Sequence, residues 1–174
     1  MEKVKLYALM FLIGAIAFTS CKDEDEDEPQ DQQPQQFVAN DDTFANFDTW
    51  TLETTHQGPD AALGAAHAGN DSTAQREVYF KDGQDPGSDG LYPKGTVIVK
   101  EVSNPSSGIL GVTAMVKRGA DFNPAGNDWE WFMLNADGTI MIDNDTGDPV
   151  RGANLGQCLN CHSQASDSDY VFSK

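Results

Sequence analysis

Basic residues are scarce in this chain. Lys and Arg number 11 against 28 Asp and Glu, for a formal net charge of −17. Such a surface repels phosphate backbones and anionic headgroups, so nucleic-acid binding and charge-driven membrane binding are excluded. Cysteine is scarce too, at three in 174 residues: Cys21, Cys158 and Cys161. No second Cys-X-X-Cys pair and no His-X3-His accompanies Cys158 and Cys161, so the roughly four ligands of a structural zinc site are not spelled out. Long apolar runs are missing as well. The longest, Leu6 to Phe18, falls short of the roughly 20 residues a spanning helix needs. No internal repeat is visible.

The stretch that stands out is Cys158-Leu159-Asn160-Cys161-His162 near the C-terminus. Cys-X-X-Cys-His reads as a c-type haem attachment site. Each thiol can form a thioether with one haem vinyl group, and the histidine that follows is delivered to the iron as proximal ligand. Two intervening residues let one helical turn present both sulfurs to a single porphyrin edge. A local disulfide, half of a zinc site and a redox pair are the competing readings. A thioredoxin-like redox pair would sit near a βαβ pattern, whereas this pair lies close to the end of the chain.

The other end points to the same compartment. Residues 1–20 carry Lys3 and Lys5 ahead of the apolar run and then small residues, the pattern of a secretory signal. With Cys21 following Thr19 and Ser20, the segment resembles a bacterial lipoprotein signal, in which the cysteine is lipidated. Phe18 replaces the usual leucine, and an ordinary cleaved signal with an incidental cysteine is the alternative. Residues 21–36 then form a tether. It holds six consecutive acids from Asp23 to Glu28 and a Pro/Gln run, too polar to offset the entropy of ordering. The fifteen residues 22–36 that follow the cysteine reach at most about 50 Å. Lys22 followed by acids resembles the surface-export signal of Bacteroidetes lipoproteins; a periplasmic spacer is the other reading. The expectation is an exported protein, lipid-anchored to the outer membrane on its periplasmic face or at the cell surface. The three cysteines are then accounted for, one for lipid and two for haem.

Residues 37–174 are the expected folded domain, with 20 Asp and Glu against 8 Lys and Arg. Phe44, Phe47 and Trp50 at near-helical spacing after Asn40-Asp41-Asp42 predict a short amphipathic helix within 37–55. His56 reads as a surface residue. Residues 61–70 are rich in small side chains, as a packed helix or loop, and carry His67, a hydrogen-bonded structural histidine or a distal haem ligand. From Glu77 the period becomes two. Strands are expected at Glu77–Phe80, Thr96–Val102, Leu110–Lys117 and Trp129–Leu134. An Asp137-Gly138 turn leads to a hairpin partner at Thr139–Ile142. A polar loop at 143–154, a short helix carrying the haem motif, and Tyr170-Val171-Phe172 packing back on the sheet complete the chain. The fold class is α+β, mainly antiparallel sheet with flanking short helices and haem c attached near the C-terminus.

This order of elements resembles the cytochrome P-460 family, including the relatives called cytochrome c′-beta. The matching pieces are Gly95–Glu101 (GTVIVKE), the Asn127-Asp128-Trp129 entry to an aromatic strand, and CLNCH followed by Asp169-Tyr170-Val171-Phe172. The resemblance implies one haem c with an open distal face, a mainly antiparallel sheet, and often a homodimer. In hydroxylamine-oxidising members a strand lysine is cross-linked to the haem, and Lys100 stands at the matching position. Members without the bond bind nitric oxide and similar gases. Glu101 and Glu130 are candidate distal carboxylates by type only, and Arg76, Arg118 and Arg151 candidate partners of haem propionates. Met115, Met133 and Met141 read as core packing rather than as iron ligands. Three readings therefore stand: a membrane-anchored haem c protein that binds a small nitrogen-oxide ligand or exchanges electrons with a redox partner, a hydroxylamine or nitric oxide oxidoreductase with a Lys100–haem cross-link, and a non-haem acidic surface lipoprotein.

Overall fold

A six-stranded antiparallel sheet follows from alternating apolar residues in the middle of the chain. In the computed structural model, which describes residues 35–172, the strands are β1 (Thr51–Gln57), β2 (Gln75–Phe80), β3 (Val97–Asn104), β4 (Gly108–Lys117), β5 (Trp129–Leu134) and β6 (Arg151–Gly152). They lie side by side in chain order, each antiparallel to the next. Two short helices flank them, α1 (Asp41–Phe44) and α2 (Cys158–His162). The expected α+β class with a mainly antiparallel sheet holds. The expected signal peptide at 1–20, the lipidated Cys21 and residues 22–34 of the tether lie outside the described residues.

Because side chains alternate across a strand, the register gives each face its own content. On one face Tyr79, Val99, Ala114 and Phe132 stand abreast across β2 to β5. Phe44 and Phe47 cover them, with Phe44 edge-on to Phe132 at 5.0 Å between ring centroids. On the other face one row is Val78, Lys100, Thr113 and Met133, and the next is Phe80, Ile98, Met115 and Trp131. The C-terminal segment lies over this second face, with Val171 buried against it and Leu155, Leu159 and Tyr170 packed alongside. Among the described residues no helix is long and apolar enough to cross a membrane.

Two expectations need correction. The helix predicted within 37–55 is reduced to α1, four residues capped reciprocally by Asn40 and Thr43. Asn46 then turns left-handed (φ 54°), and the threonine-rich run that follows is β1. Threonine's β-branched side chain suits an extended edge strand better than a helix. The hairpin partner at Thr139–Ile142 makes only isolated bridges, Leu134 to Ile140 and Ile142 to Pro149. Met141 and Ile142 are exposed and gain little apolar burial by pairing further. Instead Arg151 and Gly152, placed in the expected polar loop, pair with Phe132 and Trp131 as β6.

The Asp137-Gly138 turn is a place where glycine is required: Gly138 has φ 86°, and a Cβ there would sit 2.7 Å from the Phe44 carbonyl oxygen. The covered face also holds a charge knot. Glu130 accepts from Arg151 Nε and Nη2 at 2.7 and 2.8 Å and from Arg118 Nη1 at 3.2 Å. Arg151 also donates to the Ala39 carbonyl, and Arg118 to Gln36 Oε1, so the knot fastens the segment before α1 to the sheet. Removing the central carboxylate strands both guanidinium groups with little solvent. We expect Glu130→Ala to cost about 3–5 kcal/mol of stability, read from the denaturation midpoint at unchanged slope; a loss under 1 kcal/mol, about the worth of a surface pair, would show that the knot contributes no more than one.

Candidate functional site: a cavity between the sheet and the thiol–histidine helix

The second face of the sheet and α2 enclose a cavity of ≈ 340 Å³. That lies within the range of about 300–1,000 Å³ usual for small-molecule sites. Its floor comes from Val78, Ile98, Lys100, Thr113, Met115, Trp131 and Met133, and its far wall from Gln157, Cys158, Cys161, His162, Val171 and Phe172. Ala66 and His67 close a third side. Lys100, Cys158, Cys161 and His162, separated by up to 62 positions in the chain, thus meet at one cavity. Among the described residues no Asp or Glu lines it.

Helix α2 is five residues long and too short to persist unaided, so packing holds it in place. Gly126 permits the close approach: a Cβ there would sit 2.9 Å from the Trp131 ring and 3.0 Å from Leu159 Cδ1. Cys158 and Cys161 are separate half-buried thiols, and burial pushes the Cys158 thiol pKa up. His162 Nδ1 lies 2.7 Å from the Tyr170 carbonyl oxygen. A carbonyl only accepts, so Nδ1 carries the proton and Nε2 keeps the lone pair. Burial lowers the His162 pKa, the Tyr170 contact opposes that, and the Lys100 charge adds to it. Trp131 and Phe172 flank the ring at 6.1 and 5.3 Å between centroids.

Lys100 has no hydrogen-bond or ion-pair partner for its ammonium among the described residues. Burial lowers its pKa first and the Arg76 charge second, while Cys161 and Asp60 pull the other way. His67 is the residue whose part the sequence left least determined. Its ring makes no hydrogen bond among the described residues, against the expectation of a hydrogen-bonded structural histidine. The backbone is left-handed at His67 and Ala68 (φ 47° and 52°). Arg76, itself buried, holds that turn by donating to the Ala68 and Gly58 carbonyls. Burial, then the Lys100, His162 and Arg76 charges, lower the His67 pKa to about 3.

Other candidates fall elsewhere. Glu101 pairs across strands with Glu77 and Val112 on the face away from the cavity, and Glu130 is held there by Arg118 and Arg151. Neither is a carboxylate at this cavity. The same two arginines are spent on Glu130 and do not reach the cavity, while Arg76 is committed to backbone carbonyls beside it. Met115 is buried and Met133 lines the cavity, but Met141 is exposed rather than packed in the core. His56 is exposed on β1, as expected of a surface residue.

The donor set suits a large apolar cofactor that takes a nitrogen ligand. Two thiols one turn apart, a histidine with a free Nε2, and apolar walls all face the same space. The buried Trp131 Nε1–H, which has no hydrogen-bond partner among the described residues, borders it and would suit a polar edge of such a group. The family model described as Cytochrome P460 matches residues 45–173, and the chain belongs to the cytochrome P460 family. It is therefore a haem-binding cytochrome, and the non-haem alternative falls away. No curated protein matches the chain.

The depressed His67 pKa has a sign. Between about 3 in the fold and its ordinary value near 6.5 when unfolded, the unfolded chain binds the extra proton. Stability is then fully present above about pH 6.5 and lost as the pH falls toward 3. We expect His67→Asn, whose side chain tolerates the left-handed backbone, to flatten this part of the stability–pH curve relative to the unsubstituted protein. Parallel curves would show that His67 is protonated equally in both states.

Proposed function

We propose that this chain is an exported, lipid-anchored mono-haem c-type cytochrome that binds a small ligand, nitric oxide or a similar nitrogen oxide, at an open iron, or exchanges electrons there. The observation that supports it is the convergence of Cys158, Cys161 and His162 on one apolar cavity, with His162 Nε2 facing away from its Tyr170 hydrogen bond. In this reading Cys158 and Cys161 hold the haem through thioethers and His162 is the proximal ligand. Once bound, the haem would supply an iron able to change oxidation state and to take up a small ligand.

The protein's own groups shape what such a ligand meets. Apolar side chains of the sheet exclude water and raise the cost of an unpaired charge. His67 offers one donor and one acceptor nitrogen, and Lys100 a donor with no other partner among the described residues. Proton movement at this cavity falls to the imidazole, since the carboxylates named from the sequence point the other way. The acidic surface suits a redox partner carrying a basic patch, the lipid on Cys21 supplies the membrane anchor, and a homodimer is the assembly that the family resemblance implies.

A second reading, a hydroxylamine or nitric oxide oxidoreductase with a bond between Lys100 and the haem macrocycle, is favoured by one observation. The Lys100 amine lies at the cavity with no partner among the described residues, and its lowered pKa increases the neutral, nucleophilic fraction.

Maturation of the full chain with haem-attachment machinery tests both readings. The intact mass should rise by one haem, and Cys158→Ser with Cys161→Ser should abolish the rise; an unsubstituted chain that gains no haem sinks the c-type assignment. We further expect an ordinary ferrous Soret band that Lys100→Ala leaves in place. A strongly red-shifted band that disappears in Lys100→Ala would instead transfer the assignment to the oxidoreductase reading.

A further inference from the structure

Downstream of α2 the chain closes on a buried carboxylate. Asp169 is 1% exposed. It accepts from Lys117 Nζ at 2.7 and 2.8 Å, from Asn127 Nδ2 at 2.6 Å, from the Tyr92 N–H at 2.7 Å and from Trp129 Nε1 at 3.3 Å. Trp129 Nε1 also reaches the Asp169 carbonyl at 2.8 Å. Three separate stretches of chain therefore end on one residue: the loop before β3, the end of β4, and the turn that runs into β5. A carboxylate so placed is costly unless every lone pair is used, and here both oxygens are saturated.

The backbone shows what this saturation holds. Asp169 and Tyr170 are consecutive non-glycine residues in the left-handed region, with φ 49° and 66°. Such conformations persist only where the surroundings over-determine them. The Tyr170 N–H is bound to the Ala165 carbonyl and its hydroxyl to the Ala125 carbonyl, both at 2.8 Å. The atom this arrangement presents inward is the Tyr170 carbonyl oxygen, 2.7 Å from His162 Nδ1.

We propose that Asp169 is a positioning residue for His162: by locking the Asp169–Tyr170 backbone to the sheet, it holds the Tyr170 carbonyl against Nδ1. The inference rests on the reading of His162 as ligand to the haem iron. A carbonyl that accepts from the non-ligating ring nitrogen fixes the tautomer and ring orientation and raises the basicity of the ligating nitrogen. A firmer Nδ1–H···O bond strengthens the iron–histidine bond and favours the ferric state. The Lys117–Asp169 pair thereby acts on the iron's electronic properties from the far side of the C-terminal turn.

The test uses the full chain matured with its haem, whose attachment is established first by mass. Asp169→Asn keeps the side-chain shape and removes the charge that gathers the four donors. The expected result is an iron–histidine stretching band at lower frequency in the ferrous resonance Raman spectrum and a higher midpoint potential. Asn127→Gly removes a single donor at a residue whose φ of 45° suits glycine. It should move both readouts the same way by less, and it decides the question alone if Asp169→Asn does not mature. Val99→Ala, on the opposite face, should lower stability and move neither. Asp169 or Asn127 variants that lose stability yet keep the wild-type band and potential overturn the proposal. A chain that carries no covalent haem overturns the c-type reading of His162 and the two thiols, and this inference with it.

Discussion

The hydrogen-bonded ion pair between Lys117 at the end of β4 and Asp169 in the C-terminal segment is the contact on which the cavity depends. Neither residue type is buried without a partner, and here each supplies the other's. The pair does more than add stability, because an apolar replacement of similar shape could supply as much. Its geometry closes the chain over one face of the sheet. Helix α2 cannot stand alone, and residues 163–172 contribute few apolar anchors beyond Val171. The directional bonds on Asp169 set where that short segment lies, and therefore where the two thiols and His162 face.

With that segment in place, the sheet has two unlike sides. One is filled by Phe44, Phe47, Phe132 and the valines of β3 and β4, and is fastened at its end by Glu130 between Arg118 and Arg151. The other is left partly empty under α2, with Lys100 and Trp131 Nε1 facing the space without polar partners among the described residues. A packed side opposite a hollow side gives the cavity a floor that cannot easily collapse, since the strands that would have to move are held from behind. The hollow is apolar, so its few polar groups interact strongly with one another. The charges of Lys100, His162 and Arg76 each lower the proton affinity of His67, and Lys100 also lowers that of His162. An electron-rich ligand in this space would find donors and, among the described residues, no competing carboxylate.

Much of this was legible in local pattern. The strands at Glu77–Phe80, Thr96–Val102, Leu110–Lys117 and Trp129–Leu134 emerged from alternation because each spans a sheet with two different sides. The short helix at CLNCH and the return of Val171 to the sheet also followed from the sequence. The errors came where local signals were outvoted. Phe44, Phe47 and Trp50 keep helical spacing, yet an αL turn at Asn46 and the β-branched run after it convert the second half to β1. Thr139–Ile142 has strand-like residues, but no buried surface to pair over. His67 was ambiguous because nothing near it in sequence reveals that Arg76 pins its loop against the cavity.

The sequence by itself determined the chemistry available: two thiols and a histidine at haem-attachment spacing, an alternating sheet, a strongly acidic exterior, and a lysine placed on the same strand face as Ile98. These are properties of spacing and period, which local sterics enforce. Only the tertiary structure decided which groups share a space. It turned Glu101 and Glu130 away from the cavity, spent Arg118 and Arg151 on Glu130, brought His67 in, and bound Asp169 to Lys117 across 52 residues. The reason is physical. Strand register and a saturated buried carboxylate fix orientation through contacts between residues far apart in the chain, and no window of sequence contains both partners.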